Sequence, residues 1–169
     1  MAALLPLPPR LPVRVRPLVP ADRDFVVSLA PRLTEGVAPW IGAARMEKTV
    51  EQALATDIEA LGETSTILIA EDQNGRRLGF LTISLQRHYS GFAEAYVRNL
   101  AVHENAVRLG VGTALIEVAV AWTKARSVEY VGLHTGVRNS SARVFYEQLG
   151  FVEESVKLVK PVSDSSSPF

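Results

Sequence analysis

Two glycines separated by one residue stand where a strand-like segment gives way to a helical period. The strand-like residues end at Val102, and Gly110 and Gly112 open a segment, 110–126, in which apolar residues recur at helical spacing. Because glycine has no side chain, main-chain N–H groups at such a turn can come close to a ligand, and a helix N-terminus favours negative charge. The pattern is typical of a cradle for phosphate oxygens. It is equally consistent with a tight turn that only packs the helix on a sheet.

A second motif follows one predicted strand later. Asn139 and Ala142 precede Tyr146, Gly150 and Phe151. An asparagine at the start of a helix caps free main-chain N–H groups, and a glycine after the last turn ends the helix. Helix structure alone therefore explains Asn139, whereas the spacing of the tyrosine does not follow from capping.

The two motifs, in this order and at this separation, resemble the GNAT superfamily of acyl-CoA-dependent N-acyltransferases. That family follows its glycine loop and helix with a strand and then with Asn-x-x-Ala-x-x-x-Tyr-x-x-x-Gly-Phe, and residues 139–151 match each specified position. The resemblance covers roughly 13–159 of the chain. One departure is Val107, which stands where the family usually has arginine or glutamine, with Arg108 one residue further along.

The resemblance implies that acetyl-CoA is the cosubstrate. It also implies that the fourth strand bulges and splays from the fifth, which leaves a V-shaped slot where main-chain groups pair with the pantetheine arm like an added strand. An N–H group of Leu100 or Val102 would polarise the thioester carbonyl, and N–H groups of the glycine loop would hold the pyrophosphate. The cofactor-binding residues predicted in this way are Leu100, Ala101, Val102, Arg108, Leu109, Gly110, Val111, Gly112, Thr113 and Asn139.

The resemblance makes Tyr146 the candidate acid that protonates the departing CoA thiolate; the alternative is a tyrosine whose ring packs under the slot. An alkylamine has a pKa of about 10, so a base must remove a proton before the amine attacks. Glu94 is the candidate base, and a surface glutamate is the alternative. In an unbulged strand Glu94 shares a face with Tyr96 and Leu100. His134, on the next predicted strand, is the second candidate base.

Aromatic side chains mark the regions that form the acceptor side in the family. They are Trp40, between the first two predicted helices, and His88, Tyr89 and Phe92, before the fourth strand. Such side chains suit an apolar or aromatic amine or a peptide N-terminus. Loop aromatics also commonly cover the edge of a core or make a dimer contact, and no residue names the acceptor.

The elements that must position these residues change type along the chain. Residue patterns predict strands over 13–18, 66–70, 78–86, 92–102, 128–137 and 151–159, and helices over 21–33, 46–61, 110–126 and 139–149. Antiparallel strands followed by a βαβ crossover predict an α+β or mixed α/β fold. With the resemblance, we expect a mostly antiparallel GNAT-like sheet of six to seven strands, splayed between strands 4 and 5 and flanked by about four helices.

Length and composition predict one domain and exclude several classes of partner. We expect a disordered Pro-rich leader at 1–12, a single N-acetyltransferase domain at 13–160 and a disordered tail at 161–169. The 18 basic residues equal the 18 acidic ones, which disfavours nucleic acid as a partner. There is no cysteine, and the three histidines show no metal-ligand spacing, so we expect no metal. No apolar run approaches the roughly 20 residues that span a bilayer, so we expect a cytoplasmic protein without membrane contact.

The predicted function is N-acetyl transfer from acetyl-CoA to a primary amine of a small molecule, peptide or protein, by direct transfer in a ternary complex. The alternative is a catalytically silent acyl-CoA-binding sensor or regulatory module, and the presence of Tyr146 favours the enzyme. A nucleotide-binding protein is disfavoured because the glycine loop lacks the Lys-Ser/Thr of a P-loop. Dimers are common among similar proteins, so a homodimer is considered as well, although no residue identifies an interface.

Overall fold

The centre of the molecule is a five-stranded sheet in the part of the chain that the computed structural model describes, residues 12–36 and 43–160. The strands are β1 (Arg14–Pro17), β2 (Ser65–Glu71), β3 (Arg77–Arg87), β4 (Ala93–Val102) and β5 (Val131–Leu133). They lie side by side in chain order. Neighbours from β1 to β4 are antiparallel, whereas β5 is parallel to β4. This arrangement confirms the predicted mixed fold and the crossover after the fourth strand.

Four α-helices lie within the described ranges: α1 (Arg23–Ser28), α2 (Ala43–Glu59), α3 (Val111–Lys124) and α4 (Ser140–Gln148). The helix predicted over 21–33 is divided, because α1 ends at Ser28 and Ala30–Thr34 forms a separate 3-10 helix. Pro31 lies at this break, where its missing N–H group and its ring prevent a continuous α-helix.

The sheet separates two apolar clusters, one on each face. Successive residues of a strand point to opposite faces, so Ile67 and Ile69 pack with α1 and α2 while Leu68 packs with α3. Phe80 and Leu81 divide in the same way on β3, and both are fully buried. Burial of each such side chain contributes about 1.5–3 kcal/mol. The two clusters therefore hold the helices on opposite sides of the strands that form the site.

A buried carboxylate joins β1, β3 and the turn that precedes α1. Asp22 is inaccessible to solvent, and its two oxygens accept hydrogen bonds from Arg16 at 2.6 Å and from Arg77 at 2.6 Å. The main-chain N–H of Val19 also donates to it at 2.9 Å. Arg16 continues the network to Glu71 of β2 at 2.8 Å. These contacts lower the pKa of Asp22 to about 2, with the Arg16 hydrogen bond as the largest cause.

The predicted closing strand over 151–159 is wrong, since residues 151–160 belong to no helix or strand. Apolar residues do recur there, but Val152, Val156 and Leu158 are 89%, 79% and 90% exposed, so no apolar face is buried. The strand beside them, β5, has three residues instead of the predicted ten and offers too short an edge for regular pairing. The described sheet therefore has five strands, fewer than the six to seven expected.

The predicted leader up to residue 11 and the predicted tail at 161–169 lie outside the described residues, as does Trp40. Within 12–36 and 43–160, none of the helices combines the length and the apolar character that crossing a membrane requires.

Candidate active site

The fourth strand contains one more residue than its partner at a single point. Thr82 of β3 is paired with Asn99 of β4, and the next residue of β3, Ile83, is paired with Val97. Arg98 is therefore the extra residue of a β-bulge. The bulge lies in the middle of β4, as the resemblance implies.

Main-chain hydrogen bonds on either side of the bulge show what it changes. Before the bulge, the N–H of Ala95 donates to Tyr130 at 2.9 Å, on the side of β5. After it, the N–H of His103 donates to Leu78 at 2.8 Å, on the side of β3. In a regular strand these two odd-numbered residues would point the same way. The extra residue, Arg98, has therefore reversed the direction of every main-chain group that follows.

As a consequence, the N–H groups of Leu100 and Val102 point away from β3. Pairing between β4 and β5 stops at Val97 and Leu133, so on the side away from β3 no strand of the described chain pairs with β4 beyond that point. The amides of Leu100 and Val102 therefore both face a gap between β4 and the chain that follows β5. This gap, bounded by residues 98–102 and by the chain after Leu133, is the slot.

The bulge also corrects the predicted set of residues on one face. Glu94 and Tyr96 remain on the face of α1 and α2, whereas Leu100 packs with the opposite cluster beside α3. Ala101 takes the α2 face and is buried with Phe80. The expectation that Leu100 shares a face with Glu94 holds only for an unbulged strand, and β4 is not one.

The glycine loop begins α3 with backbone conformations that favour exposed N–H groups. Gly110 has φ +87° and precedes the first residue of the helix, and Arg108 has φ +63°, which is uncommon for a residue other than glycine. The first N–H groups of an α-helix have no partner within the helix. The N–H groups of residues 110–113 are therefore available to an anion at the positive end of α3.

Gly112 has a packing role that the phosphate interpretation omits. A Cβ atom at this position would lie 3.1 Å from Cζ of Phe145 in α4. The close approach brings the start of α3 against the helix that carries Tyr146. The packing interpretation therefore applies to Gly112, whereas the anion cradle stays a prediction for the turn at Gly110.

Tyr146 lies in an apolar setting in α4. Its ring contacts Phe145 and Phe151 at centroid distances of 5.1 and 5.6 Å. Burial raises the pKa of Tyr146 to about 12. Its hydroxyl has no hydrogen-bond partner in the described ranges. Asp57 Oδ2 is the one side-chain polar atom of those ranges that is both inaccessible to solvent and without a hydrogen bond, so the Tyr146 hydroxyl retains some access to solvent. The hydroxyl is therefore protonated at neutral pH and free to donate.

The candidate bases lie where β4 and β5 are still paired. Glu94 is buried, accepts a hydrogen bond from Gln86 at 2.6 Å and lies so close to Gly132 that a Cβ there would be 2.8 Å from its Oε2. Tyr96 shares a hydrogen bond of 2.5 Å with Nδ1 of His134. Burial, and next the charge of Glu94, raise the pKa of Tyr96.

Tyr96 was not singled out from the sequence as a site residue. The signal was available, because it follows Glu94 by two residues on the same predicted strand and so shares its face. Its pairing with His134 could not be read from the sequence, since it depends on the register between two strands that are 38 residues apart at this point.

Asn139 caps α4, as predicted. Its side-chain oxygen accepts hydrogen bonds from the N–H of Ala142 at 3.2 Å and from the Ser141 hydroxyl at 3.1 Å. A Cβ atom at Gly36 would lie 2.6 Å from Cβ of Asn139, so the loop after the 3-10 helix at Ala30–Thr34 packs directly on this cap. These contacts alone explain why an asparagine stands at this position.

The segment 32–36 closes one side of the slot, a feature that the sequence did not predict. At one end, Arg32 donates to the Val102 carbonyl at 3.3 Å, at the end of β4. At the other end, a Cβ at Gly136 would lie 2.3 Å from the Gly36 carbonyl oxygen. The segment therefore bridges the two diverging walls.

Three of the four predicted acceptor-side residues come together beside the start of β4. His88 is buried and stacks on Phe92 at a centroid distance of 4.3 Å, while Tyr89 lies 4.0 Å from His88 and is 83% exposed. Nε2 of His88 lies 2.9 Å from Glu154, and its Nδ1 shares a hydrogen bond with Ser90 at 2.7 Å. His88 is thus committed to local contacts, and Tyr89 offers the exposed aromatic surface.

Within the described residues, no group of three or more histidine, aspartate or glutamate side chains is placed to hold a metal ion. The groups described above that could act on a ligand are main-chain amides, Tyr146 in its apolar setting and the Glu94–Tyr96–His134 region.

Comparison with known proteins agrees with this geometry. The model of the Acetyltransferase (GNAT) family matches residues 35–151. N-alpha-acetyltransferase 30 of Xenopus laevis is 34% identical over 77 residues, which are 46% of this chain and 28% of that protein. Aminoglycoside N(6')-acetyltransferase type 1 of Klebsiella aerogenes is 31% identical over 93 residues, 53% of this chain and 60% of that protein. The chain thus spans less than two thirds of the length of either relative.

The fold is shared with a solved structure from Pyrococcus furiosus that is assigned as an acetyl transferase. The TM-score is 0.72 at 20% identity, and the match covers 89% of this chain and 99% of that one. The family match extends over well more than half of the chain and includes both the glycine loop and Tyr146. The chain belongs to the Acetyltransferase (GNAT) family.

Proposed function

We propose that this protein is an N-acetyltransferase that moves an acetyl group from acetyl-CoA to a primary amine of a small molecule, peptide or protein by direct transfer in a ternary complex. The proposal treats residues 13–160 as one catalytic domain. The observation that carries it is the pair of amides at Leu100 and Val102, which face the slot without a strand partner in the described chain.

The residues that line the slot suit acetyl-CoA. When bound, acetyl-CoA would supply an activated thioester carbonyl. The main chain of Leu100 and Val102 would pair with the pantetheine amides, and one of their N–H groups would donate to the carbonyl oxygen as negative charge develops there. The N–H groups of 110–113 would hold the pyrophosphate at the positive end of α3. Loss of one donor to a developing oxyanion typically lowers the rate by about 10²–10³.

A base must take the proton of the incoming ammonium. Glu94 and His134 are the two candidates, and the contacts favour His134. Its exposed ring already shares a hydrogen bond with the Tyr96 hydroxyl, whereas the Glu94 carboxylate is held between Gln86 and Gly132. Because the pKa of Tyr96 is raised, Tyr96 stays protonated at neutral pH. Its oxygen would accept the ammonium proton only as its own hydroxyl proton passes to Nδ1 of His134, so Tyr96 stays neutral and His134 becomes the imidazolium. Glu94 would then stabilise the positive charge that forms on this route.

The proposed acid is Tyr146. The amine nitrogen forms a C–N bond to the acetyl carbon as the C–S bond breaks, and Tyr146 would donate its hydroxyl proton to the departing sulfur. Its pKa of about 12 keeps that proton in place at neutral pH. The products are the N-acetylated amine and free CoA with its thiol protonated.

The acceptor class rests on the relatives and on the aromatic surface. The two relatives are named an N-alpha-acetyltransferase and an aminoglycoside N(6')-acetyltransferase, so both names give a nitrogen atom as the acceptor of the acetyl group. Exposed Tyr89 beside Phe92 favours an acceptor with an apolar or aromatic group next to its amine.

The proposal is tested by titrating acetyl-CoA calorimetrically into the full chain and by measuring free CoA over a panel of peptide and small-molecule amines. We expect binding and CoA release above the background rate with at least one amine. Tight binding without release on every amine would contradict the enzyme and favour the silent sensor. Absence of binding would contradict both.

A further inference from the structure

Side-chain hydrogen bonds add to the strand pairing that holds the bulge in β4. At the pair Thr82–Asn99, the Asn99 N–H donates to the Thr82 side-chain hydroxyl at 3.0 Å. The Asn99 side-chain amide donates to the same hydroxyl oxygen at 3.1 Å. Thr82 is buried, with 5% of its surface exposed, so these two hydrogen bonds are largely shielded from water.

The extra residue itself is held from a different direction. The Arg98 side chain crosses to α2 and donates to Oδ1 of Asp57 at 3.1 Å. The other carboxylate oxygen of Asp57 is buried and has no hydrogen-bond partner in the described part of the chain. Burial raises the pKa of Asp57 in spite of the opposing charge of Arg98. Arg98 is thus the one charged partner that this carboxylate has in the described chain.

One side of the bulge borders an open space. A cavity of about 270 Å³ lies against it, with Thr82, Arg98 and Asp57 among the lining residues. A strand that borders an open space can shift its pairing unless polar contacts prevent the shift. The hydroxyl of Thr82 in β3 binds Asn99, and the carboxylate of Asp57 in α2 binds Arg98. Two adjacent residues of β4 are thus each held by a polar contact with a different element.

We infer that Thr82 is a positioning residue that sets the register of the second half of β4. With its hydroxyl in place, the amides of Leu100 and Val102 face the slot. Removal of the bulge would reverse the direction of every main-chain group that follows it. The amides of Asn99 and Ala101 would then face the slot instead of those of Leu100 and Val102. The inference rests on the proposed function for its consequence in acetyl-CoA binding, but the register itself can be measured without any activity.

The experiment compares amide hydrogen exchange, residue by residue, and acetyl-CoA affinity in the full chain and in three variants. Thr82→Val removes the hydroxyl at nearly constant volume, and Thr82→Ser retains it. Thr66→Val is the matched control, because Thr66 is a threonine of the adjacent β2 that makes no side-chain hydrogen bond in the described ranges. Circular dichroism confirms that each variant is folded.

In the unmodified chain, we expect slow exchange at Asn99 and Ala101 and fast exchange at Leu100 and Val102. Thr82→Val should lose protection at Asn99 and weaken acetyl-CoA binding about tenfold. Thr82→Ser and Thr66→Val should stay within about twofold of the unmodified chain, since the first keeps the hydroxyl and the second removes no contact.

Two results would overturn the inference. One is a Thr82→Val protein with unchanged Asn99 protection and unchanged affinity. The other is slow exchange of the Leu100 and Val102 amides in the unmodified chain. This second result needs no variant, so it can be obtained even if Thr82→Val does not fold. Failure of the unmodified chain to bind acetyl-CoA would instead count against the proposed function, because the exchange pattern still reports the register.

Discussion

Tyr146 has two properties that its proposed role as the proton donor requires. Its pKa of about 12 keeps the hydroxyl protonated at neutral pH, and the cause is burial, not a nearby charge. Its ring is held by Phe145 and Phe151, so the position of the hydroxyl depends on the packing of α4 against α3. A side chain that only filled space would not need a free hydroxyl.

Tyr146→Phe therefore tests the role of a single oxygen atom. We expect turnover to fall by about 10²-fold or more, because general acid catalysis typically contributes 10²–10⁴. Acetyl-CoA affinity should change by less than about threefold, since the ring is retained. The measurement is steady-state CoA release beside calorimetric binding.

Tyr130→Phe provides the control for this variant. Tyr130 is 54% exposed, and its ring contacts Phe92 at 5.0 Å, so the substitution removes a hydroxyl outside the slot. Equal turnover of Tyr146→Phe and the unmodified protein would remove Tyr146 from the mechanism.

At the scale of elements, sequence patterns predicted what local signals determine. Strands β2 to β4 and helices α3 and α4 were expected within a few residues of their bounds, because their apolar periods and glycine or asparagine ends act locally. The position of the bulge has no such signal, since the extra residue at Arg98 depends on the contact of Arg98 with Asp57 and on that of Asn99 with Thr82. The closing strand was wrong for the same reason, because alternating valines make a strand only when a partner strand buries them.

The hydrogen bonds of Asp22, which join β1, β3 and the turn before α1, predict how the free energy of unfolding changes at acidic pH. The pKa of Asp22 is lowered to about 2 in the folded protein from 3.8, mainly by the hydrogen bond from Arg16. A lowered pKa stabilises the fold above the unfolded value and loses that contribution as the pH falls through the folded value. Between about pH 4 and pH 2 we expect a loss of roughly 2 kcal/mol from this group.

Asp22→Asn should flatten the dependence of the free energy of unfolding on pH in this range. It should also destabilise the protein at pH 7 by roughly 2–4 kcal/mol, because Arg77 loses its charged partner and Arg16 keeps only Glu71. Urea unfolding at a series of pH values measures both effects. Asp24→Asn, an exposed residue of α1, is the matched control and should change the free energy of unfolding by less than about 0.5 kcal/mol. Parallel pH profiles for Asp22→Asn and the unmodified chain would show that Asp22 does not carry the acid sensitivity.

In the whole molecule, the region proposed to bind acetyl-CoA and the region proposed to bind the acceptor lie at opposite ends of β4. The amides at the start of α3 lie beyond the carboxyl end of the strand, and the aromatic residues His88, Tyr89 and Phe92 lie beside its amino end. The bulge lies between them. The sequence predicted both ends through the glycine loop and the aromatic residues, but the bridge of 32–36 across the slot depends on contacts between loops that are about a hundred residues apart.

The most direct test of the account follows individual amides while acetyl-CoA is added to the full chain. We expect acetyl-CoA to slow hydrogen exchange, and to shift the NMR resonances, at Leu100, Val102 and residues 110–113, because these N–H groups would gain partners. Asn99 and Ala101, which face β3, should change little. Saturable binding of acetyl-CoA that leaves Leu100 and Val102 unaffected would contradict the central claim that these amides seat the thioester.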